Sequence, residues 1–304
     1  MSQIATLHPE LFHYTTAAGL AGILKDKSLW ATHSSCVNDE EEIFGFYDRI
    51  LPSILRPILP QISDSDFKKI ISGFKVAASL WHDYYITSFA TTDDKLVSEN
   101  GLLSQWRAYG SDGGYAIALD TAALDDVLRK EGESYPEIEY HLGNVQYRLN
   151  DNRRTDDQDT DGMIENLEKA FKEFVGSEKK KGAADLAKWL TTLSLFFKHN
   201  GFEEEKEVRL VLAQLGPGLE SESELQSVKQ HPVCTRARNG EIVPYVELSV
   251  REINNVRQHL PIKRIIVGPH RDKHDRKRAV QLLLKQHGLN PDIVTISDIP
   301  YRGW

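Results

Sequence analysis

The sequence predicts a mixed α+β fold, because segments with the periodicity of strands alternate along the chain with segments of helical periodicity. Residues 84–90 and 243–250 have the alternating β-branched or aromatic pattern of strands, whereas residues 65–82 repeat apolar side chains at helical spacing. Residues 262–267, 272–287 and 293–296 follow the strand, helix, strand order of a crossover unit. We therefore expect a sheet with helices packed around it.

The first elements predicted along the chain are a strand and a capped helix. Residues 10–14 predict a short strand, and Thr15 and Thr16 are candidate caps of the helix that follows. Residues 29–31 return to extended structure. Asn38, with acids directly after it, predicts the start of a further capped helix.

The middle of the chain predicts alternating elements. These are a helix at 65–82, a strand at 84–90, a helical turn at 102–109, a buried strand at 115–119, and one or two strands within 135–147.

Residues 151–162 contain five aspartates and predict a solvated loop. Two helices should follow and end at the Asn200-Gly201 pair, because glycine tolerates the left-handed conformation that terminates many helices. Residues 205–213 then predict a strand. We find no internal repeat or low-complexity linker, so we take residues 1–304 as a single domain with a helical insertion near 160–200.

The bulk composition limits the class of protein. A formal charge of −8 and a pI near 5.8 mean that the whole surface does not attract nucleic acid or anionic lipid. We expect no membrane span and no signal peptide, and we place the protein in the cytoplasm. Cys36 and Cys234 lack CxxC partners, which argues against a disulfide framework or a zinc site, and no metal is expected.

A first candidate site is the strand end Phe12-His13-Tyr14-Thr15. A neutral imidazole can hydrogen-bond a ribose hydroxyl, and the ring of Tyr14 offers a face to a flat heterocycle. Taken alone, these residues favour a satisfied histidine at a strand edge beside a core tyrosine.

A second candidate site combines Ser88 and Phe89 with the later cluster Trp106, Arg107 and Tyr109. Hydroxyl groups at a strand end can position a ligand, and the cluster could clamp a charged aromatic group by stacking and ion pairing. The alternative, that Trp106 and Tyr109 fill the core beneath a loop, is equally compatible with the sequence.

A third candidate site is the charged segment Glu205, Glu207 and Arg209. If these residues lie on a strand, alternation places all three side chains on one face. Two carboxylates on that face suit the stabilisation of positive charge that develops at a sugar carbon. A solvated edge strand guarded by charge is the alternative. We favour a functional site, because Glu207 and Arg209 flank Val208 where the strand enters its apolar half.

Several stretches of the sequence resemble a widespread bacterial group, domain-of-unknown-function family 2971. They stand in order along the chain and are LFHYTTAAGLAGILKDKSLWATHSSCVNDEEE, YITSFATTDDKLVSENGLLSQWRAYGSDGGYAIALD, GFEEEKEVRLVL, PIKRIIVGP and ISDIPYRGW. This resemblance implies no particular reaction.

A more distant resemblance is to the ADP-ribosyltransferase superfamily, in which a His-bearing strand leads into a helix, a Ser-rich strand follows, and a Glu-x-Glu strand supplies the catalytic acid. It implies a split or bent mixed sheet with peripheral helices. The roles that it implies are ribose binding by His13, the central-strand serine at Ser88, stacking by Trp30 or Tyr14, catalysis by Glu207, and an upstream acid at Glu205. The Phe-Ala that follows Ser88 departs from the usual Ser-Thr-Ser pattern.

The resemblance implies that NAD is the substrate of an ADP-ribosyltransferase or NAD glycohydrolase, with a protein or nucleic acid as a possible acceptor and a role as a toxin or antiphage effector. Two alternatives remain open. One is a metal-dependent nuclease built on Glu204-Glu205-Lys206, with phosphates held by the basic segment 263–278. The other is a module that binds a nucleotide or partner without catalysis.

Overall fold

The computed structural model describes residues 3–36, 46–58, 60, 62–109, 114–176, 179–215, 229–238, 240–251 and 257–300. Within these ranges strands and helices alternate, and the predicted mixed α+β class is confirmed. The capped helix start predicted at Asn38 lies outside the described residues.

The described part of the chain contains eleven strands. They are β1 (Glu10–Thr15), β2 (Ser28–His33), β3 (His82–Ala90), β4 (Tyr115–Asp120), β5 (Glu139–Asn144), β6 (Glu207–Leu215), β7 (Cys234–Arg238), β8 (Glu241–Arg251), β9 (Arg257–Gln258), β10 (Ile262–Val267) and β11 (Val294–Ile296).

The strands form an open sheet in the order β11-β10-β4-β1-β3-β2-β8-β7, while β6 pairs with β3, β5 with β6, and β9 with β8. The pairing of β10 with β11 is parallel, as expected for the crossover unit predicted at the C-terminal end. The other described pairings are antiparallel, and the sheet is therefore mixed but mostly antiparallel.

Ten α-helices surround the sheet in the described ranges. They are α1 (Gln3–Leu7), α2 (Ala17–Asp26), α3 (Leu51–Leu55), α4 (Asp64–Trp81), α5 (Lys95–Asn100), α6 (Leu103–Tyr109), α7 (Thr121–Ser134), α8 (Gln158–Val175), α9 (Lys179–Ser194) and α10 (Lys273–Gln286). Across the described residues, none of the helices has both the length and the apolar character needed to cross a bilayer.

The sheet divides at β3. Strand β6 pairs with all nine residues of β3 and so occupies one of its two edges. On the other edge, β2 pairs at Tyr85 and Ile86, whereas β1 pairs only at Ala90. Residues 87–89 therefore face a gap in which β1 and β2 diverge, and α2 connects the diverging ends of these two strands.

Helix α2 is fixed at both ends by its own sequence. The side chain of Thr16 accepts a hydrogen bond from the backbone N–H of Gly19, as expected of an N-cap, while Thr15 is the last residue of β1. At the other end Lys27 adopts a left-handed conformation with φ of 52° and turns the chain into β2. These caps set where β1 ends and β2 begins.

Side chains on β3 alternate between two cores on opposite faces of the sheet. Tyr85 and Phe89 enter the first core, which also contains apolar residues of α2, α7 and α10. Tyr84 and Ile86 enter the second core, formed with α4, α8 and α9. Each fully buried side chain of this size stabilises the fold by about 1.5–3 kcal/mol. By the same alternation Ser88 lies on the face of the second core.

The predicted loop over residues 151–162 is wrong at its second half, because α8 begins at Gln158. The side chain of Asp157 accepts a hydrogen bond from the backbone N–H of Thr160, and Asp159 and Asp161 lie in the first turn of the helix. Negative charge at a helix N-terminus is favourable, so these aspartates start a helix instead of solvating a loop.

The predicted helix end at Asn200 is also wrong, because α9 ends at Ser194. After Ser194 the backbone bonds to Gln146 and does not continue the helix. The N–H of Gln146 donates to the carbonyl of Phe196, and the N–H of Lys198 donates to the carbonyl of Gln146. The chain then forms a 3-10 helix, Asn200–Glu205, before β6.

Candidate functional site

A cavity of about 410 Å³ opens where β1 and β2 diverge. Its walls come from β1, α2, β2, β3, α6, β6 and β7, together with the segment between α9 and β6. The residues predicted for the site that line this cavity are His13, Tyr14, Thr15, Trp30, Ser88, Phe89, Glu205, Glu207 and Arg209. The structure thus brings residues that are far apart in the sequence around one space.

His13 occupies the gap left by the missing strand pairing. Its Nδ1 lies 3.1 Å from the backbone oxygen of Ser88, a carbonyl that can only accept, so Nδ1 carries the proton. Burial lowers the pKa of His13, with the charge of Arg236 acting in the same direction and the bond to Ser88 opposing. The ring is therefore neutral near pH 7, with Nε2 as a hydrogen-bond acceptor.

Tyr14 is anchored at its hydroxyl, which accepts a hydrogen bond of 2.7 Å from the backbone N–H of Leu102. Its ring packs edge-on against Trp106, with the ring centres 4.8 Å apart. Burial raises the pKa of Tyr14 to about 12, so the hydroxyl stays protonated. This contact fixes α6 against β1 at the rim of the cavity.

The structure does not bring the predicted Trp-Arg-Tyr clamp to the cavity. Trp106 is buried, and its Nε1 donates to the backbone oxygen of Asn100 at 3.0 Å, so it fills the core beneath the loop. Arg107 is exposed and does not line the cavity. The side chain of Tyr109 lies outside the described part. Gln105 of α6 lines the cavity wall.

Trp30 supplies an aromatic surface on the β2 side. Its ring centre lies 5.1 Å from that of Tyr245, and the guanidinium of Arg236 lies 5.0 Å above the Trp30 ring. On α2, Gly22 approaches so closely that an added Cβ would lie 2.2 Å from Cη2 of Trp30. The ring is thus confined on two sides.

Glu207 is held by two cations at the start of β6. The Nε of Arg209 donates to Oε1 at 2.6 Å and its Nη2 to Oε2 at 3.1 Å, while Nζ of Lys198 lies 3.3 Å from Oε2. Burial alone would raise the pKa of Glu207, but Arg209, Lys198 and a hydrogen bond from Ser88 together lower it to about 2. Glu207 is therefore ionised at neutral pH.

Glu205 reaches the same cavity by a different route from the predicted strand. It ends the 3-10 helix, and the next residue, Lys206, has a left-handed φ of 41°. Strand alternation therefore relates Glu207 to Arg209 but not to Glu205, and the predicted common strand face for all three is wrong. Lys198 connects the two acids, since its Nζ lies 3.0 Å from Oε2 of Glu205.

Three basic residues of the cavity were missed in the sequence: Lys198, Arg236 and Arg238. With Arg209 they give four basic side chains against two acidic ones, and His13 is neutral. The cavity therefore carries an excess of positive charge, which suits a ligand that bears negative charge. A signal for two of them was present, because the arginines of Cys234–Arg238 alternate as strand neighbours do.

The sequence predicts a nuclease motif on a strand at Glu204 and Lys206. The structure has no strand at these two residues. Glu204 is exposed on the 3-10 helix, and Lys206 lies 3.6 Å from Asp93. Among the residues that the structure describes, no three His, Cys, Asp or Glu side chains gather as a metal site would require. In the basic segment, Lys263 and Arg264 both pair with Glu10.

A protein family described as a protein of unknown function, DUF2971, matches residues 105–210. The family resemblance stated from the sequence is thereby confirmed for this segment, which contains Gln105, Lys198, Glu205, Glu207 and Arg209 of the cavity. Comparison with curated proteins and with solved structures gave no match.

Proposed function

Since the family that matches residues 105–210 has no known function, we propose the activity from the site itself. The protein binds NAD in the cavity between β1 and β2 and breaks the bond between nicotinamide and ribose, transferring ADP-ribose to an acceptor or to water. The observation that carries this proposal is the convergence of His13, Ser88 and Glu207 on one cavity at the division of the sheet.

The chemistry assigned to Glu207 is electrostatic. When the bond breaks, its electron pair goes to the nicotinamide nitrogen and positive charge develops at the ribose carbon. An ionised carboxylate beside that carbon stabilises the charge, and the pKa of Glu207, lowered to about 2, keeps it ionised. Attack by water then yields ADP-ribose, nicotinamide and one proton.

The neighbouring residues position the substrate. The unprotonated Nε2 of His13 suits a ribose hydroxyl as donor, and the Trp30 ring suits stacking against a flat heterocycle. Ser88 lies between these elements on β3, where its carbonyl bonds His13 and its side chain bonds Glu207. This single residue therefore links the ribose-binding and acidic parts of the proposed site.

NAD labelled on either the nicotinamide or the adenylate half tests the proposal. We expect released nicotinamide from the purified protein alone, or labelled macromolecule when cell extract is added. Glu207→Gln should lower either rate by about 10²–10³-fold, as loss of a preorganised electrostatic group does. The matched control is Glu204→Gln, an exposed acid outside the cavity, which should keep the wild-type rate. Absence of both products would overturn the proposal.

A binding module without catalysis is the second candidate, favoured by the excess positive charge of the cavity. In that case Glu207→Gln leaves the biological activity intact, whereas Trp30→Ala removes it by deleting the aromatic surface. A metal-dependent nuclease, the other alternative predicted from the sequence, is distinguished from both by the loss of its activity on addition of a chelator. The acceptor class and a toxin or antiphage role stay predictions from the superfamily resemblance.

A further inference from the structure

Two arginines of the edge strand β7 face the cavity. Arg236 and Arg238 are two positions apart on a strand, so their side chains leave the same face of the sheet, and both line the cavity wall. They lie at the β2–β8–β7 side, whereas Glu207 lies on β6 across the division of the sheet. The cavity therefore has a cationic side and a side where acids and bases are paired.

Arg236 is held rigidly. Its guanidinium lies 5.0 Å from the ring centre of Trp30 and 5.6 Å from that of Tyr245, and its Nη2 donates to Oγ1 of Thr32 at 2.9 Å. In the part of the chain that the structure describes, no group accepts a hydrogen bond from the buried Nε of this guanidinium. The aromatic and hydroxyl contacts hold the planar guanidinium in one orientation, so it loses little conformational freedom when it binds an anion.

Among the described residues, no acid balances the charge of this pair. The side chain of Arg236 donates to Thr32 and that of Arg238 to the backbone oxygen of Cys36, and within the described ranges neither arginine forms an ion pair with a carboxylate. Burial lowers the pKa of Arg236, and the nearby charge of Arg238 lowers it further. Two partly buried like charges side by side are unfavourable, and an anion between them would remove that cost.

We propose that Arg236 and Arg238 form a phosphate subsite, in which their guanidinium groups bind the diphosphate of a nucleotide ligand. Guanidinium N–H groups match phosphate oxygens in geometry and charge. The subsite also orients the ligand, because the phosphates lie towards β7 while the sugar faces His13 and Glu207. The phosphate subsite stands on the arginines alone; the identity of the ligand as NAD rests on the proposed function.

The test measures binding by calorimetry with three probes: inorganic pyrophosphate, ADP-ribose, and nicotinamide riboside, which lacks the diphosphate. Arg236→Gln and Arg238→Gln should each weaken pyrophosphate and ADP-ribose binding by about 10- to 100-fold, the range of one charge-assisted hydrogen bond. Nicotinamide riboside should bind these variants as it binds the wild type. Arg148→Gln, at an exposed arginine outside the cavity, is the matched control and should bind all three normally.

Arg238→Gln keeps the test usable if Arg236→Gln fails to fold, because the side chain of Arg238 contacts no aromatic ring among the described residues. Equal pyrophosphate affinity in the wild type and in folded Arg238→Gln would refute the subsite, even if NAD is cleaved. Pyrophosphate binding that depends on the arginines, without NAD cleavage, would support the subsite and refute the proposed function.

Discussion

Arg209 binds the carboxylate of Glu207 from the same face of the same strand, with its Nε 2.6 Å from Oε1 and its Nη2 3.1 Å from Oε2. Both residues pair through their backbones with β3, Glu207 opposite Ala90 and Arg209 opposite Ser88. The position of the acid is therefore fixed twice, by the strand register and by the guanidinium.

Removal of Arg209 should destabilise the protein strongly. Arg209→Leu leaves Glu207 buried with less compensating charge, and breaking a buried pair in this way costs about 3–5 kcal/mol. The double variant Glu207→Leu/Arg209→Leu should cost less, since it leaves no buried acid at this position. Urea unfolding measures both free energies. A double variant that is less stable than Arg209→Leu would contradict this account.

Glu207 should make the stability depend on pH at the acid side. Its pKa is about 2 in the folded chain against an ordinary value of 4.5, so between these values the unfolded chain binds more protons. The contribution of ionised Glu207 is complete above pH 4.5 and is lost as the pH falls towards 2. The difference in unfolding free energy between the wild type and Glu207→Gln should therefore stay constant from pH 7 to 5 and change progressively below 4.5. A difference that stays constant down to pH 3 would show that Glu207 does not have this lowered pKa.

Lys198 should help to keep the acid limb of the pH–rate profile of the proposed reaction at low pH. Its Nζ lies 3.3 Å from Oε2 of Glu207, and its positive charge, together with the larger effect of Arg209, lowers the pKa of this carboxyl. Lys198→Met should therefore shift the acid limb of the pH–rate profile upwards by about one unit or more. The control is Lys188→Met, at a lysine that pairs with Glu139 outside the cavity. This variant should not shift the acid limb of the pH–rate profile.

Gly22 should be needed for the shape of the cavity. Gly22→Ala on α2 places a methyl group against Trp30, and overpacking of this kind costs about 1–3 kcal/mol. The displaced ring should also weaken nucleotide binding. Gly162→Ala on α8, where an added Cβ meets nothing, should instead stabilise the protein by about 0.5–1 kcal/mol through helix propensity. Thermal unfolding compares the two, and equal effects would contradict the contact with Trp30.

The sequence was most informative where local chemistry decides the structure. The strand at residues 10–14, the cap at Thr16 and the strand that contains Ser88 follow from alternation and capping, and the structure has them. Helix α7 carried no prediction, although Asp120 caps it through Ala123 N–H. Its apolar residues were not recognised as periodic, and so a local signal was overlooked.

Lys198 could not have been found by such reasoning. It follows a helix that ends early, where Phe196 and Lys198 bond to the backbone of Gln146, a partner far away in the sequence. Trp106 was instead assigned to the site although it lies in the core. In the sequence, an aromatic residue beside an arginine fits a ligand clamp and a core residue equally well. The structure decides between them, because the indole N–H of Trp106 donates to the backbone oxygen of Asn100. Glu205 lines the cavity, as expected of a site residue, but its carboxylate is held there by Lys198 and does not lie on the predicted strand face.

The void between β1 and β2 owes its existence to main-chain divergence, because these strands pair with β3 at separate points and leave residues 87–89 without a strand partner on that edge. Exchange of the side chains around it alters which molecule fits, while the hydrogen-bonded frame that keeps it open persists. Relatives that share this frame are therefore expected to retain the recess and to differ in specificity at positions such as Trp30 and Arg236. The fold should therefore tolerate substitutions that change which ligand binds more readily than changes that displace β1 or β2.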